Sequence, residues 1–256
     1  MGLLLKKTDN ELILKRRRRI RLKKFTLIFI LMVSLFIILC LKLPYFNINS
    51  IKVYGNKNIS KDSIIESSKI YFNNNIFYVN TKGAVDNILS NPYIADANIV
   101  RVFPSTIAIN VTERQAVFYT MDGGNYFVID GNGIILEKKN NINDMKLIKL
   151  NGISLGKKEI GEPVENGDSR KIGIINILSK IFEDSKIGPN ITFADISNSI
   201  DLKVYYKNMC IELGDEENIE QKFNRALNII QEKQLQDANG YINVSFNGNP
   251  VYFIQK

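Results

Sequence analysis

The residue types that carry most enzyme chemistry are scarce in this chain, and where they gather their spacing does not suit it. There is no histidine, the commonest general base and metal ligand. The two cysteines, Cys40 and Cys210, lie far apart and form no metal-ligand or redox motif. Neither a G-x-S-x-G elbow nor a phosphate-binding glycine loop occurs. Asp130-Gly131-Asn132-Gly133 falls between two apolar runs but lacks the carboxylate spacing and terminal Glu of a calcium loop. Its Gly and Asn tolerate positive φ, which suits a tight hairpin turn. Asp215-Glu216-Glu217 precedes a helical pattern, where negative charge complements the helix dipole. No Ser-Lys or paired-carboxylate spacing stands out. The expectation is a chain with no catalytic residues, no cofactor, no metal site and no small-molecule substrate.

The elements that position the rest begin with a sharp junction. Lys15 to Lys24 reads KRRRRIRLKK, and Phe25 to Leu41 reads FTLIFILMVSLFIILCL without a charge. Seventeen helical residues rise about 25 Å against a bilayer core of about 30 Å. Leu22 and Leu43 extend the run, and Lys23, Lys24 and Lys42 can snorkel. The run is long for a cleaved signal, and Cys40 to Pro44 offers no small-x-small site, so an uncleaved anchor is expected. Flanking cations stay in the cytoplasm, which assigns Arg16, Arg17, Arg18, Arg19, Lys23 and Lys24 to topology. The first 24 residues carry a net charge of +8, as does the whole chain, so the remainder balances to zero. The basic character therefore belongs to the tail, where it serves orientation and anionic lipid, and nucleic-acid binding is not expected of the rest.

Beyond Pro44 the patterning predicts a strand at Ile51–Val53, a helix capped by Ser60 and running to Ile70, and a helix from Thr81 to Ser90. Strands at Ile94–Val102 and Ile107–Val111 follow, joined by a Phe103-Pro104 turn that cannot continue a ladder. From Ala116 the chain reads mostly as strands. Hairpins are predicted at Tyr126–Leu136 and Leu202–Leu213, with a strand at Ile148–Leu150. Helices are predicted at Ser169–Phe182 and, capped by Asp215, at Glu216–Lys233. Two closing strands, Tyr241–Phe246 and Val251–Ile254, are joined by Asn247-Gly248-Asn249-Pro250. With no disulfide available to it, this region must live on its core.

In this order the residues resemble the FtsQ/DivIB family of bacterial cell-division proteins over nearly the whole chain. Ile51-Lys52-Val53-Tyr54-Gly55-Asn56 resembles the first strand and turn of the family's POTRA domain. Asn91-Pro92-Tyr93-Ile94-Ala95-Asp96-Ala97, Arg101 to Ile109 and Val111 to Ala116 resemble its most distinctive run. Tyr126 to Leu136 resembles the hairpin opening the following β domain, and Leu213-Gly214 with Gly240 to Val244 resembles its last third. Asn243 stands where an acidic residue is usual. Glu113 and Arg114 could pair with each other's neighbours or with a partner, and a local structural or domain-junction role is the expectation.

The resemblance implies an α+β chain: a cytoplasmic basic tail (1–24), a transmembrane helix (25–43), a POTRA domain of β-α-α-β-β order (46–115) and a strand-rich β domain with two helices (116–256). It implies a non-enzymatic divisome scaffold in the bacterial cell membrane, at the septum, with its N-terminus cytoplasmic and its C-terminus outside. Implied partners are FtsL-like and FtsB/DivIC-like single-span proteins, with lipid contacted through the span. Docking near the C-terminal strands, carried onto this chain, names Tyr241, Val244, Phe246, Val251, Tyr252 and Phe253. The physical mechanism expected is strand addition at an exposed final strand, with alternation leaving one of Tyr252 and Phe253 outward. The chain stops four residues after Tyr252, so the long tail of some relatives is expected to be missing. A POTRA-bearing transport or assembly factor would usually carry a translocation barrel or repeated modules. A membrane-anchored enzyme would need chemistry that the residues do not supply.

Overall fold

The computed structural model describes residues 2–165, 169–183, 188–246 and 248–255. Asn247, in the predicted closing turn, lies outside the described residues. The chain divides into two compact units, Met1–Asn87 with Asn98–Asn110, and Ile88–Ala97 with Val111–Lys256.

Helix α1 (Gly2–Lys42) carries the basic run and the apolar run as one continuous element, where the sequence pattern suggested a tail and then a span. Between Leu3 and Leu43 there is neither Gly nor Pro to interrupt it. Its Ile13–Lys42 portion is long and apolar enough to cross a membrane. The two hydroxyls in the apolar stretch fold back onto the helix: Thr26 Oγ1 donates to the Lys23 carbonyl at 2.9 Å and Ser34 Oγ to the Leu31 carbonyl at 2.8 Å. That leaves no side-chain donor of theirs to be satisfied by lipid, which offers no partner.

The same unit contains β1 (Ser50–Tyr54), α2 (Lys61–Ser68) and most of α3 (Thr81–Leu89). With β2 (Ile94–Val102) and β3 (Thr106–Glu113), β1 forms a three-stranded sheet of order β1-β3-β2. Strand β1 runs parallel to β3, pairing Ile51 with Ile107 and Val53 with Ile109. Ser60 caps α2 as expected, accepting from the Ser63 amide. The helix stops short of Ile70 because Lys69 turns left-handed (φ 54°). Ile48, Val53, Ile64, Ile76 and Ile107 are buried.

The second unit is built on a nine-stranded mixed sheet of order β12-β11-β10-β9-β8-β7-β4-β5-β6. Its strands are β4 (Ala116–Asp122), β5 (Asn125–Asp130), β6 (Ile135–Lys139), β7 (Ile148–Asn151), β8 (Ile191–Asp195), β9 (Leu202–Tyr206), β10 (Met209–Gly214), β11 (Gly240–Asn243) and β12 (Val251–Ile254). Helix α4 (Ser169–Phe182) lies in the connection between parallel β7 and β8, and α5 (Ile219–Glu232) in that between parallel β10 and β11. Parallel neighbours need such crossovers, which a hairpin cannot supply. Ile219, Phe223, Ala226 and Ile230 of α5 are buried, and Phe182 links Phe118 to Phe223 through ring contacts of 6.0 and 6.1 Å.

Three local expectations are corrected. Helix α5 begins at Ile219, not Glu216, because Asp215 does not cap it. The Asp215 carboxylate instead accepts from the Glu217 amide and pairs with Lys222, and Asn218 turns left-handed (φ 54°) before the first turn. Strand β11 ends at Asn243, not Phe246, because the Asn243 side-chain oxygen captures the Ser245 amide at 3.0 Å. The Asp130 turn is wider than a two-residue hairpin loop, since β5 ends at Asp130 and β6 starts at Ile135.

Candidate protein-protein interface at the C-terminal sheet edge

The sheet's last three strands are assembled by α5, which returns the chain parallel to β10 and delivers β11. Two polar contacts fix that return. Lys207, in the β9–β10 turn, pairs with Asp237 at 2.8 Å, and Arg225 of α5 donates to the Gly248 carbonyl at 2.6 Å. Strand β12 then folds back antiparallel on β11, with Tyr241 opposite Phe253 and Asn243 opposite Val251. Gly240 permits the approach: a Cβ there would overlap the Phe253 carbonyl oxygen.

Backbone alternation defines what the free side of β12 offers. The Gln255 amide donates to the Asn239 carbonyl at 2.8 Å. Antiparallel pairs alternate between hydrogen-bonded and non-bonded, so Tyr241/Phe253 and Asn243/Val251 are bonded pairs in the same series. The amide and carbonyl groups of Tyr252 and Ile254 therefore face away from β11, toward the open edge.

Side chains add apolar area to that edge. Tyr252 and Phe253 are both exposed, at 45% and 55%, and Val251 and Ile254 are exposed with them. This corrects the expectation that alternation buries one of the two aromatics. A terminal strand has no further neighbour on one side, and among the described residues all four side chains of β12 stay exposed. The Phe253 ring stacks on Tyr241 at 5.9 Å, and Phe246 is exposed just beyond β11. Val244 is a second correction. At 1% exposure it packs with Ile242 and Leu213 in the core, and it is not available to a partner. Arg16, Arg17, Arg18, Arg19, Lys23 and Lys24 lie exposed on α1, in the other unit.

Asn243 keeps a full set of contacts despite being neutral. Its amide donates to Glu212 at 2.7 Å, and its oxygen accepts from the Ser245 amide and hydroxyl. A carboxylate there would face the Glu212 carboxylate directly. Cys210, on the neighbouring strand β10, is held as a thiol: burial pushes its pKa up. That makes it a poor nucleophile at neutral pH.

The sequence reading missed a buried ion pair and an amide clamp. Arg114 Nη1 donates to Asp130 Oδ2 at 2.9 Å, while Asp130 Oδ1 accepts from the amides of Asn132 and Ile134 at 2.9 and 2.7 Å. Asp130 is almost wholly buried, and both its oxygens are committed to the protein, which removes it as a calcium ligand. Arg114 had been flagged for a structural role, but nothing in the spacing named its partner. In the first unit, the Asn75 amide reaches the Cys40 and Leu41 carbonyls at 3.0 and 3.3 Å, a contact between residues some 35 positions apart that no local pattern reveals.

The family model described as "POTRA domain, FtsQ-type" matches residues 46–114, and "Cell division protein FtsQ/DivIB, C-terminal" matches residues 118–245. The chain is similar to the cell division protein DivIB of Clostridium acetobutylicum, 47% identical over 251 residues that cover 98% of this chain and 100% of that one. The DivIB protein of Clostridium tetani is 42% identical over 96% of this chain and 94% of its own length. That of Clostridium botulinum strain Hall is 40% identical over 97% of each. Both modules and their order match along nearly the full length, and the chain belongs to the FtsQ/DivIB family of cell division proteins.

Proposed function

We propose that this protein is a non-enzymatic scaffold of the division machinery, which binds small single-span division proteins by adding one of their strands to β12. The observation that carries this is the uncharged edge strand Val251–Ile254, with the backbone groups of Tyr252 and Ile254 open and four apolar side chains exposed. A partner strand laid along it satisfies those groups and covers Tyr252, Phe253 and Val251, with Tyr241 and Phe246 beside them. About four new backbone bonds at a net 0.5–1.5 kcal/mol each, plus aromatic burial, fit an interface of moderate strength. FtsB/DivIC-like and FtsL-like proteins are the partners of this reading. The basic segment Arg16–Lys24 keeps the N-terminus in the cytoplasm, placing both modules outside, and the protein acts at the septum.

The test is co-purification of the full-length chain with a full-length FtsB/DivIC-like partner from membranes. Tyr252→Glu and Phe253→Glu should each weaken recovery, and truncation after Pro250 should abolish it, with thermal unfolding confirming that the variants fold. Undiminished recovery by well-folded variants refutes docking at this edge. A fluorescent fusion is expected at midcell; an even envelope signal through the cell cycle contradicts the septal role.

A further inference from the structure

Four aromatic rings line up where the chain leaves α1. Tyr45 and Phe46 meet edge to face at 5.3 Å, Phe46 and Phe77 lie 5.4 Å apart, and Phe77 and Phe103 lie 5.4 Å apart. These rings come from three separate segments: the 3₁₀ turn Pro44–Phe46, the 3₁₀ turn Ile76–Tyr78 and the β2–β3 turn. Tyr45 and Phe103 are mostly exposed, at 67% and 58%, and Leu43 and Phe77 are exposed beside them. Such a row is unusual on a surface that faces only water.

The row is held rigidly to the end of α1. Asn75 is buried and works in two directions: its amide donates to the Cys40 and Leu41 carbonyls, and its oxygen accepts from the Phe77 amide at 2.9 Å. The last carbonyls of a helix have no partners of their own, so Asn75 supplies them from a distant segment. Arg101 braces the other side of the Phe77 turn, donating to the Ile76 and Val79 carbonyls at 3.0 and 2.7 Å. The Ile48 amide to the Asn74 carbonyl, at 2.9 Å, closes the frame. No linker intervenes between α1 and this frame.

We infer that this aromatic row is a membrane-seating platform, which rests the POTRA module on the headgroup layer where α1 emerges. The occupant is lipid because of position. The apolar side chains of α1 run to Leu43, and Tyr45 follows three residues after Lys42. At a rise of about 2 Å per residue in a 3₁₀ turn, that is about 6 Å, comparable to the thickness of an interfacial layer of roughly 5–8 Å. Aromatic side chains favour this layer, where rings sit in the acyl boundary beside polar headgroups. Because Asn75 and Arg101 fix the row to the helix end, the platform sets the tilt of the module against the bilayer, in place of a free tether. This rests on α1 crossing the membrane.

The chain has no tryptophan, so a single introduced one reports alone. Full-length Phe36→Trp, Tyr45→Trp, Phe103→Trp and Tyr54→Trp are each reconstituted in phosphatidylcholine bilayers with and without bromine on the acyl chains. Phe36 is mid-span, and Tyr54 is exposed at the far end of β1, about 13 Å along the strand from Ser50. Tyr45→Trp and Phe103→Trp should lose most of their emission in brominated lipid and emit to the blue of Tyr54→Trp, which should lose little. Phe103→Trp decides, because Phe103 is remote from α1 in sequence; Phe77→Trp repeats the reading should that turn be disturbed. Quenching of Phe36→Trp and Tyr45→Trp alone, with Phe103→Trp and Phe77→Trp behaving like Tyr54→Trp, overturns the platform and leaves the span standing. Failure of Phe36→Trp to quench overturns both.

Discussion

Gly240→Ala is the smallest change that should disable the C-terminal edge without touching its exposed side chains. An added Cβ overlaps the Phe253 carbonyl, which is backbone and cannot swing aside, so β12 must move away from β11. The bonded pairs at risk are Tyr241/Phe253, with Asn243/Val251 and Asn239/Gln255 on either side. Loss of two backbone bonds at a net 0.5–1.5 kcal/mol each favours release of β12 by about 1–3 kcal/mol. That corresponds to roughly a fivefold to 150-fold rise in the open population. Hydrogen exchange on the full-length protein reads this directly. The Val251, Phe253 and Gln255 amides should exchange faster by that factor, while those of Val204 and Ile211, in the middle of the sheet, should not change. The thermal midpoint should hardly move, because Ile242 and Val244 keep their places in the core. If strand addition is the docking mode, affinity for the proposed partner should fall in parallel, since a partner strand needs a paired β12 to extend. Wild-type protection at Val251 and Phe253 would falsify the claim that Gly240 is required by this close approach. Rapid exchange together with full partner affinity would remove strand addition from the account.

The remaining predictions concern sites away from that edge. Asp130→Ala leaves Arg114 without its partner and strips the amides of Asn132 and Ile134 of their acceptor; a destabilisation of about 3–5 kcal/mol is expected in chemical denaturation. Asn75→Ala should cost about 1–2 kcal/mol and speed exchange at the Phe77 amide, whereas Asn75→Asp, which keeps the acceptor but not the donor, should protect that amide and still lose the α1 carbonyls. Cys210, read in a Cys40→Ser background, should alkylate slowly until the pH passes the ordinary thiol value of about 8.5, because burial raises its pKa. The raised folded value favours the neutral thiol in the fold. Its contribution is therefore full below the ordinary thiol value and is lost as pH climbs through the folded one. Unfolding curves should show a decline in that alkaline window that Cys210→Ser reduces.

Most elements were legible because their signals are local. Ser60 sits before an apolar-periodic run and caps it; Ile107, Ile109 and Val111 alternate and form β3; the α5 face from Ile219 to Ile230 repeats at helical spacing and is buried. Pairing was less legible. Nothing in the alternation of Ile148 and Leu150 says that β7 lies between β4 and β8, parallel to both, because alternation marks a strand's faces and not its neighbours, which here are reached through long connections. The edge was legible in position but not in burial. Val244 and Tyr252 look alike to a pattern of apolar residues near the chain end, yet one is under α5 and the other is past the last covering element. The contacts of Asn75 and Asp130 were not legible, because their partners are remote or depend on a folded loop.

The two edges of the nine-stranded sheet are not equivalent, and the difference favours β12 as the recognition edge. Strand β6 reads Ile135-Leu136-Glu137-Lys138-Lys139, with three charges in its last three residues, and charge on an edge discourages further pairing. Its start is also covered: the Gly161 and Val164 amides donate to the Ile135 and Gly133 carbonyls, and the Ile135 amide donates to the Glu162 carbonyl. Tyr93 occupies Glu137 through a 2.7 Å bond. The Tyr93 hydroxyl is held neutral by burial and by that carboxylate, so the bond persists across the physiological range. Among the described residues, strand β12 shows none of these devices. Val251-Tyr252-Phe253-Ile254 is uncharged and exposed along its length, and it is preceded by Pro250 and by Gly248, whose carbonyl accepts from Arg225. An open apolar edge is a liability in a protein that works alone, and a sheet with one edge charged and covered and the other apolar and exposed among the described residues is the asymmetry that the strand-addition proposal requires. Moving the charges tests the argument: Tyr252→Lys with Ile254→Glu gives β12 the character of β6 at outward-facing backbone positions. The doubly substituted protein should fold with an unchanged thermal midpoint yet fail to retain its partner. Retention would mean that recognition does not use this edge.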